Sequence, residues 1–475
     1  MRSITGQVSE NAQSRCAVPA SGRRTGPGND RPVTIDRNAA LDLIDFVDAS
    51  PSPYHAAAEA LRRLTGAGFT ELPLAGDWPA APGRYVVTDG GTLFAWVVPP
   101  DAPAHAPFRL LGAHTDSPTL RVKPHPDIGR EGVRQLGVEV YGGPLLNSWL
   151  DRDLGLAGRV AVRAAGGSQI RLVRVHRALL RVPQLAIHLD RDLRDSGGLK
   201  LDPQLHLVPI WSLGDPKPGA FRDLLAAELD VPADDVLAHE VVTYDMAGGT
   251  LAGADEEFVS SARLDDLACA HASVTALAQA ALAQAAPAEA PGQPAPRHVS
   301  ALVLFDHEEV GSETVTGAAG AWLGRQLERT VLGRGGGRED FLRAVAGSMH
   351  VSADVTHATH PNYPGRHEPD YPIRLGGGPV VKVSANASYA TEAEPHAAFL
   401  LAAEQAGVPV QYFVNRSGVR SGSTIGPIVA AGLAVPTVDV GISCLAMHSV
   451  RELCGAADPA LLRGALAAFL APRAG

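Results

Sequence analysis

The run SALVLF (300–305) constrains the fold more than any other feature of the chain, because it is apolar at nearly every position rather than at every second one. A half-buried strand alternates, whereas a continuous run belongs to a strand covered on both faces. Related runs recur at RYVVTD, LFAWVV, FRLLGA, MHVSA (349–353), PVVKV (379–383), PVQYF (409–413) and PTVDV (436–440). Helical spacing separates most of them, over 264–285, 317–332, 395–406 and 456–470. A further helical stretch, 37–66, is broken at SPSPY, where proline stops one helix and opens the next. Apolar strands alternating with helices predict an α/β fold with a central, mostly parallel sheet flanked by helices.

The middle of the chain reads differently. GVEVYG, GRVAVRA, IRLVRVH and LAIHL are strand-like, and turn residues are dense between them. Residues 122–255 are expected to form a β-rich insertion, dividing an α/β domain made of 35–121 and 256–475. Residues 1–34 are polar, rich in Gly and Pro and without period, and read as a disordered tail. The segment 286–297, AAPAEAPGQPAP, is a low-complexity loop.

Composition narrows the class of partner. The 475 residues carry a formal charge of −10, which argues against nucleic acid and against anionic membrane surfaces. No apolar run approaches the roughly 20 residues needed to span a bilayer. The four cysteines, Cys16, Cys269, Cys444 and Cys454, form no metal-type spacing, and the expectation is a reducing cytoplasm.

Several apolar runs end in acids or imidazoles. These are His114 and Asp116 in GAHTDSP, Asp265 in SARLDDL, Glu308 and Glu309 in FDHEEVGS, Asp354 in SADVTH and His448 in MHSVRE. In an open α/β sheet ligands bind beyond the carboxyl ends of the strands, so these groups are predicted to converge on one edge. Taken singly, each histidine reads as structural and each carboxylate as a helix cap. Together they make a partly buried anionic cluster, which is costly without cations. Divalent metal resolves that cost. Mixed nitrogen and oxygen ligands suit Zn²⁺, with Mn²⁺ or Co²⁺ as alternatives. The expectation from the residues is a metal hydrolase.

GAHTDSPTLRVKP, SARLDDL, FDHEEVGS, SADVTHATHPNY, GSTIGPI and MHSVRE, in this order, resemble the aspartyl aminopeptidase family of metallopeptidases. The likeness runs from about residue 50 to the C-terminal helix. It implies a two-metal aminopeptidase. Asp265 would bridge the ions, His114 and Asp354 would complete one, and Glu309 and His448 the other. Glu308 would be the general base, and Asp116 would orient the His114 ring. One metal would also hold the free α-amine of the peptide substrate. The resemblance further implies that His188 reaches a neighbouring subunit's site. Lys382 and Tyr389 would contact substrate, Gly422 and Ser423 would shape a backbone approach, and Met447 would line the side-chain pocket. The insertion would be a dimerisation domain, with dimers assembling into a dodecamer. Asp266 departs from the family, which often has asparagine there. Two other readings of the same residues are a di-metal deacylase of small N-acyl compounds and a catalytically weak scaffold of the same fold.

Overall fold

The computed structural model describes residues 35–190, 198–285, 298–419 and 422–472. The expected disordered tail and the 286–297 loop lie outside the described residues, as does Cys16.

The apolar runs form one nine-stranded sheet. Its order is Thr70–Glu71, Gly83–Asp89, Thr92–Val98, Val299–Phe305, Phe108–His114, Met349–Ala353, Thr437–Gly441, Val380–Val383 and Gln411–Val414. Val299–Phe305 is buried at every position. Its side chains alternate between two cores, with Leu302 and Leu304 on one face and Val303 and Phe305 on the other. The first core is closed by helices Leu264–Ala285, Ala393–Ala406 and Asp458–Leu470, through Leu267, Phe399 and Leu466 among others. The second is closed by Trp322–Gly333 and Arg338–Ala346 through Leu327 and Phe341. Truncating Leu302 to alanine would cost about 2–5 kcal/mol in so closed a site.

The sheet is parallel at its centre and mixed at its flanks. Val299–Phe305, Phe108–His114, Met349–Ala353 and Thr437–Gly441 run parallel. Gly83–Asp89 and Thr92–Val98 are antiparallel, because only Gly90 and Gly91 join them and so short a link permits nothing else. Gly90 supplies the left-handed turn at φ +64°.

A second, six-stranded antiparallel sheet is built from Thr119–Arg130, Val133–Tyr141, Leu154–Ala164, Gly167–Leu180, Ile210–Leu213 and Val236–Asp245. It has its own core around Leu156, Val160, Val175 and Phe221. In sequence it lies between His114 and Asp265. A third, five-stranded sheet was not anticipated. It pairs Ser443–Leu445 with Glu452–Gly455 and leaves the loop between them to carry His448.

Candidate metal centre

Three of the four parallel strands at the sheet centre carry the expected site residues to one edge. His114 closes Phe108–His114 and pairs in register with Phe305. Glu308 and Glu309 follow Phe305 on a single 3-10 turn, entered through His307 at φ +70°. Asp354 follows Met349–Ala353. Asp265 stands in the non-helical first turn of Leu264–Ala285, joined to Asp266 by a cis peptide. His448 arrives from the third sheet.

These side chains meet. Asp265 lies between two imidazoles, with Oδ1 3.3 Å from His114 Nε2 and Oδ2 3.2 Å from His448 Nε2. His448 Nε2 is 3.4 Å from Glu309 Oε1. Ligand-type atoms of His114, Asp265, Asp266 and Asp354 lie within 4.8 Å of one another, and so do those of Asp265, Glu309 and His448. Asp265 is common to both groups. Glu308 belongs to neither, and its Oε2 is 4.0 Å from His114 Nε2.

Two observations test whether a cation fits. The Nδ1 of His114 donates to the Asp116 carbonyl at 3.0 Å, and that of His448 to the Gly143 carbonyl at 3.0 Å. Both rings therefore turn Nε2 towards carboxylate oxygens, a contact that is favourable only with a positive charge between the lone pairs. Glu309 Oε1 is also buried without a hydrogen-bond partner. The donor set fits divalent metal in two adjoining positions.

The electrostatics agree. Burial pushes Glu308 up to about 7, with Asp354, Asp116 and Asp265 adding to the rise and His114 opposing it. Glu309 is likewise raised, by burial and by Asp265. Burial alone would lower His448, yet Asp265 holds it up at about 9. Asp265 itself is held below the usual carboxylate range, against burial, by His114 and His448, while the glutamates around it are held up where positive charge is scarce.

A cavity of about 460 Å³ opens onto these groups. Lys382, Tyr389, Gly422, Ser423 and Met447 line it, together with Val355, His357 and Phe413. Lys382 is 2% exposed, and its Nζ donates to the Val355 carbonyl at 2.8 Å. His188 is not brought to this cavity. It is exposed on a turn of its own chain, between the exposed Ile187 and Leu189. Asp116 does more than face His114. Its carboxylate, 3.5 Å from His114 Nδ1, accepts the backbone N–H groups of Glu308 at 3.0 Å and Glu309 at 3.1 Å.

Two positioning groups escaped the sequence reading. Buried Glu452 accepts the N–H of Asp265 at 3.0 Å and that of His448 at 2.7 Å. Gly143 supplies the carbonyl that fixes the His448 ring. An acid four residues after His448 was the available signal for Glu452; Gly143 had none.

Residues 46–470 match the family model described as aminopeptidase I zinc metalloprotease (M18). The chain belongs to the M18 family of zinc metalloproteases. A probable M18 family aminopeptidase 2 of Streptomyces coelicolor is 49% identical over 442 residues, 93% of this chain and 99% of that protein. One of the same description from Mycobacterium tuberculosis is 47% identical over 435 residues, 91% of this chain and 98% of its own length. Among solved structures, Ape4 in its complex with Nbr1 superposes with a TM-score of 0.85 at 34% identity, covering 91% of this chain and 85% of that one. The S. cerevisiae mApe1 dodecamer gives 0.77 at 25%, covering 91% and 96%. This M18 protein is a metal-dependent aminopeptidase, a hydrolase of peptide bonds. The family favours neither the deacylase nor the scaffold alternative. No helix among the described residues of the M18 aminopeptidase is long and apolar enough to cross a membrane.

Proposed function

We propose that this aminopeptidase removes N-terminal residues from peptides with Glu308 as general base and two divalent ions held by five side chains. Asp265 would bridge the ions, His114 and Asp354 would hold one, and Glu309 and His448 the other. The observation that carries this reading is the Asp265 carboxylate, whose two oxygens each face a different, tautomer-fixed imidazole. Bound there, zinc would acidify a water molecule and polarise the scissile carbonyl.

The protein's own groups do the rest. Glu308, free of either ligand group, takes the proton of the attacking water on a carboxylate oxygen and returns it to the leaving amine. Asp116 holds the amides of Glu308 and Glu309, so base and ligand keep one spacing. Gly422, Ser423, Tyr389 and Met447 bound the substrate, and Lys382 contributes its charge from the cavity wall.

The insertion expected over 122–255, built on the six-stranded sheet whose strands run from Thr119 to Asp245, would serve as a dimerisation domain in a cytoplasmic homo-oligomer. Exposed Leu185, Ile187 and Leu189 around His188 support this, since so much apolar surface around an exposed histidine suits contact with a second copy. In that assembly His188 would complete a neighbour's site. The dodecameric mApe1 relative supports a closed particle.

Glu308→Gln tests the assignment. The variant should retain zinc and lose about 10²–10⁴-fold in kcat on an aminoacyl-nitroanilide. Activity within tenfold of the parent would remove Glu308 from the role.

A further inference from the structure

We propose that Tyr141, the last residue of Val133–Tyr141 in the six-stranded sheet, is a positioning residue for the catalytic centre. It would act through Asp116 on Glu308, Glu309 and His114. The inference rests on the site assignment above and goes beyond it.

The Tyr141 hydroxyl donates to Asp116 Oδ2 at 2.8 Å. That same oxygen accepts the Glu309 N–H, and Oδ1 accepts the Glu308 N–H. The Asp116 backbone carbonyl accepts the hydrogen bond of His114 Nδ1. One residue, 1% exposed, thus fixes the base, a ligand-type carboxylate and a ligand-type imidazole. The two N–H groups hold one carboxylate oxygen each, and the phenol adds a third donor, from a different sheet, to Oδ2.

The residues after Tyr141 continue the contact. Gly142 sits at φ +70° so close to Glu309 that an added Cβ would stand 3.2 Å from the Glu309 Cβ. Gly143 accepts from His448 Nδ1, and Leu145 N–H donates to the His448 carbonyl at 2.9 Å. Three consecutive residues at the end of one strand therefore touch Asp116, Glu309 and His448. A plain packing role for Tyr141 would explain a half-buried ring. It would leave unexplained why the hydroxyl lands on the carboxylate that also accepts the Glu308 and Glu309 N–H groups.

The test is Tyr141→Phe, which removes a single oxygen from the intact enzyme. Expected are a kcat lower by about 10-fold with KM within about twofold, and zinc release to a chelator faster by about 10-fold. In an Asp116→Asn background the same change should alter kcat and zinc release by less than about twofold, because the phenol acts only through Asp116. Parental kcat and zinc release overturn the proposal, even if the melting temperature falls. So does an equal proportional loss in both backgrounds. The site assignment itself fails on a different result, an active Glu308→Gln enzyme, so the two failures are distinguishable.

Discussion

The Lys382 ammonium lies 3.7 Å from the Asp354 carboxylate, and both groups are buried in the cavity wall. Lys382 is a charged residue in a core strand, and its place is stabilised by that carboxylate, the Val355 carbonyl and the face of Tyr389, 5.5 Å from its nitrogen. Removing one partner of a buried pair leaves the other uncompensated. Lys382→Met should therefore destabilise the metal-free protein by about 3–5 kcal/mol. Urea unfolding of chelator-treated parent and variant measures it, and a difference under about 1 kcal/mol would exclude the pairing as a stabilising contact.

Glu452→Gln keeps the shape but replaces one acceptor with an NH₂ group facing a backbone N–H. Either Asp265 or His448 then loses its anchor. A drop of about 10–100-fold in zinc affinity or kcat/KM is expected. Zinc content after dialysis against a weak chelator reports it, and unchanged retention with unchanged kcat/KM would contradict the role.

Gly441 passes so close to the Asp354 carbonyl oxygen that any side chain would overlap it. Gly441→Ala should cost roughly 1–3 kcal/mol through overpacking and shift Asp354 with its strand end. Thermal unfolding and zinc stoichiometry check this together. A variant with parental values in both would show that the strand gives way without moving Asp354.

Acid should weaken the fold through buried histidines away from the site. Burial pushes His350 down to about 3, and His298 down to about 4 despite the raising effect of the Leu470 carbonyl. The unfolded chain binds protons near pH 6.5, so stability is full above that pH and is lost as pH falls towards the folded values. His350 alone should cost roughly 2 kcal/mol between pH 7.5 and pH 5. His350→Gln should flatten the pH dependence of the unfolding free energy, measured by urea titration, by that amount over the same interval. An unchanged slope would show that His350 does not titrate in the unfolding equilibrium.

The sequence by itself determined the layers and the chemistry-bearing residues. SALVLF has no polar face, so a strand made of it must be covered twice, and it is buried throughout between two cores. His114, Glu308, Glu309 and Asp354 follow such strands, and parallel neighbours must end at one edge, so their meeting was legible before any coordinates. The bounds of helices were less so. The stretch expected from residue 317 starts as a helix only at Trp322, because Gly317 and Gly320 sit in turns before it.

Only the tertiary structure decided what joins across long sequence separations. The third sheet brings His448 to Asp265 by pairing short strands from the middle of the chain with others near its C-terminus, and strands so short leave no periodic trace. The roles of Tyr141, Gly143 and Glu452 rest on a hydroxyl, a carbonyl and a carboxylate finding particular partners. Periodicity encodes which face of an element is buried. It does not encode which distant atom a polar group will meet there.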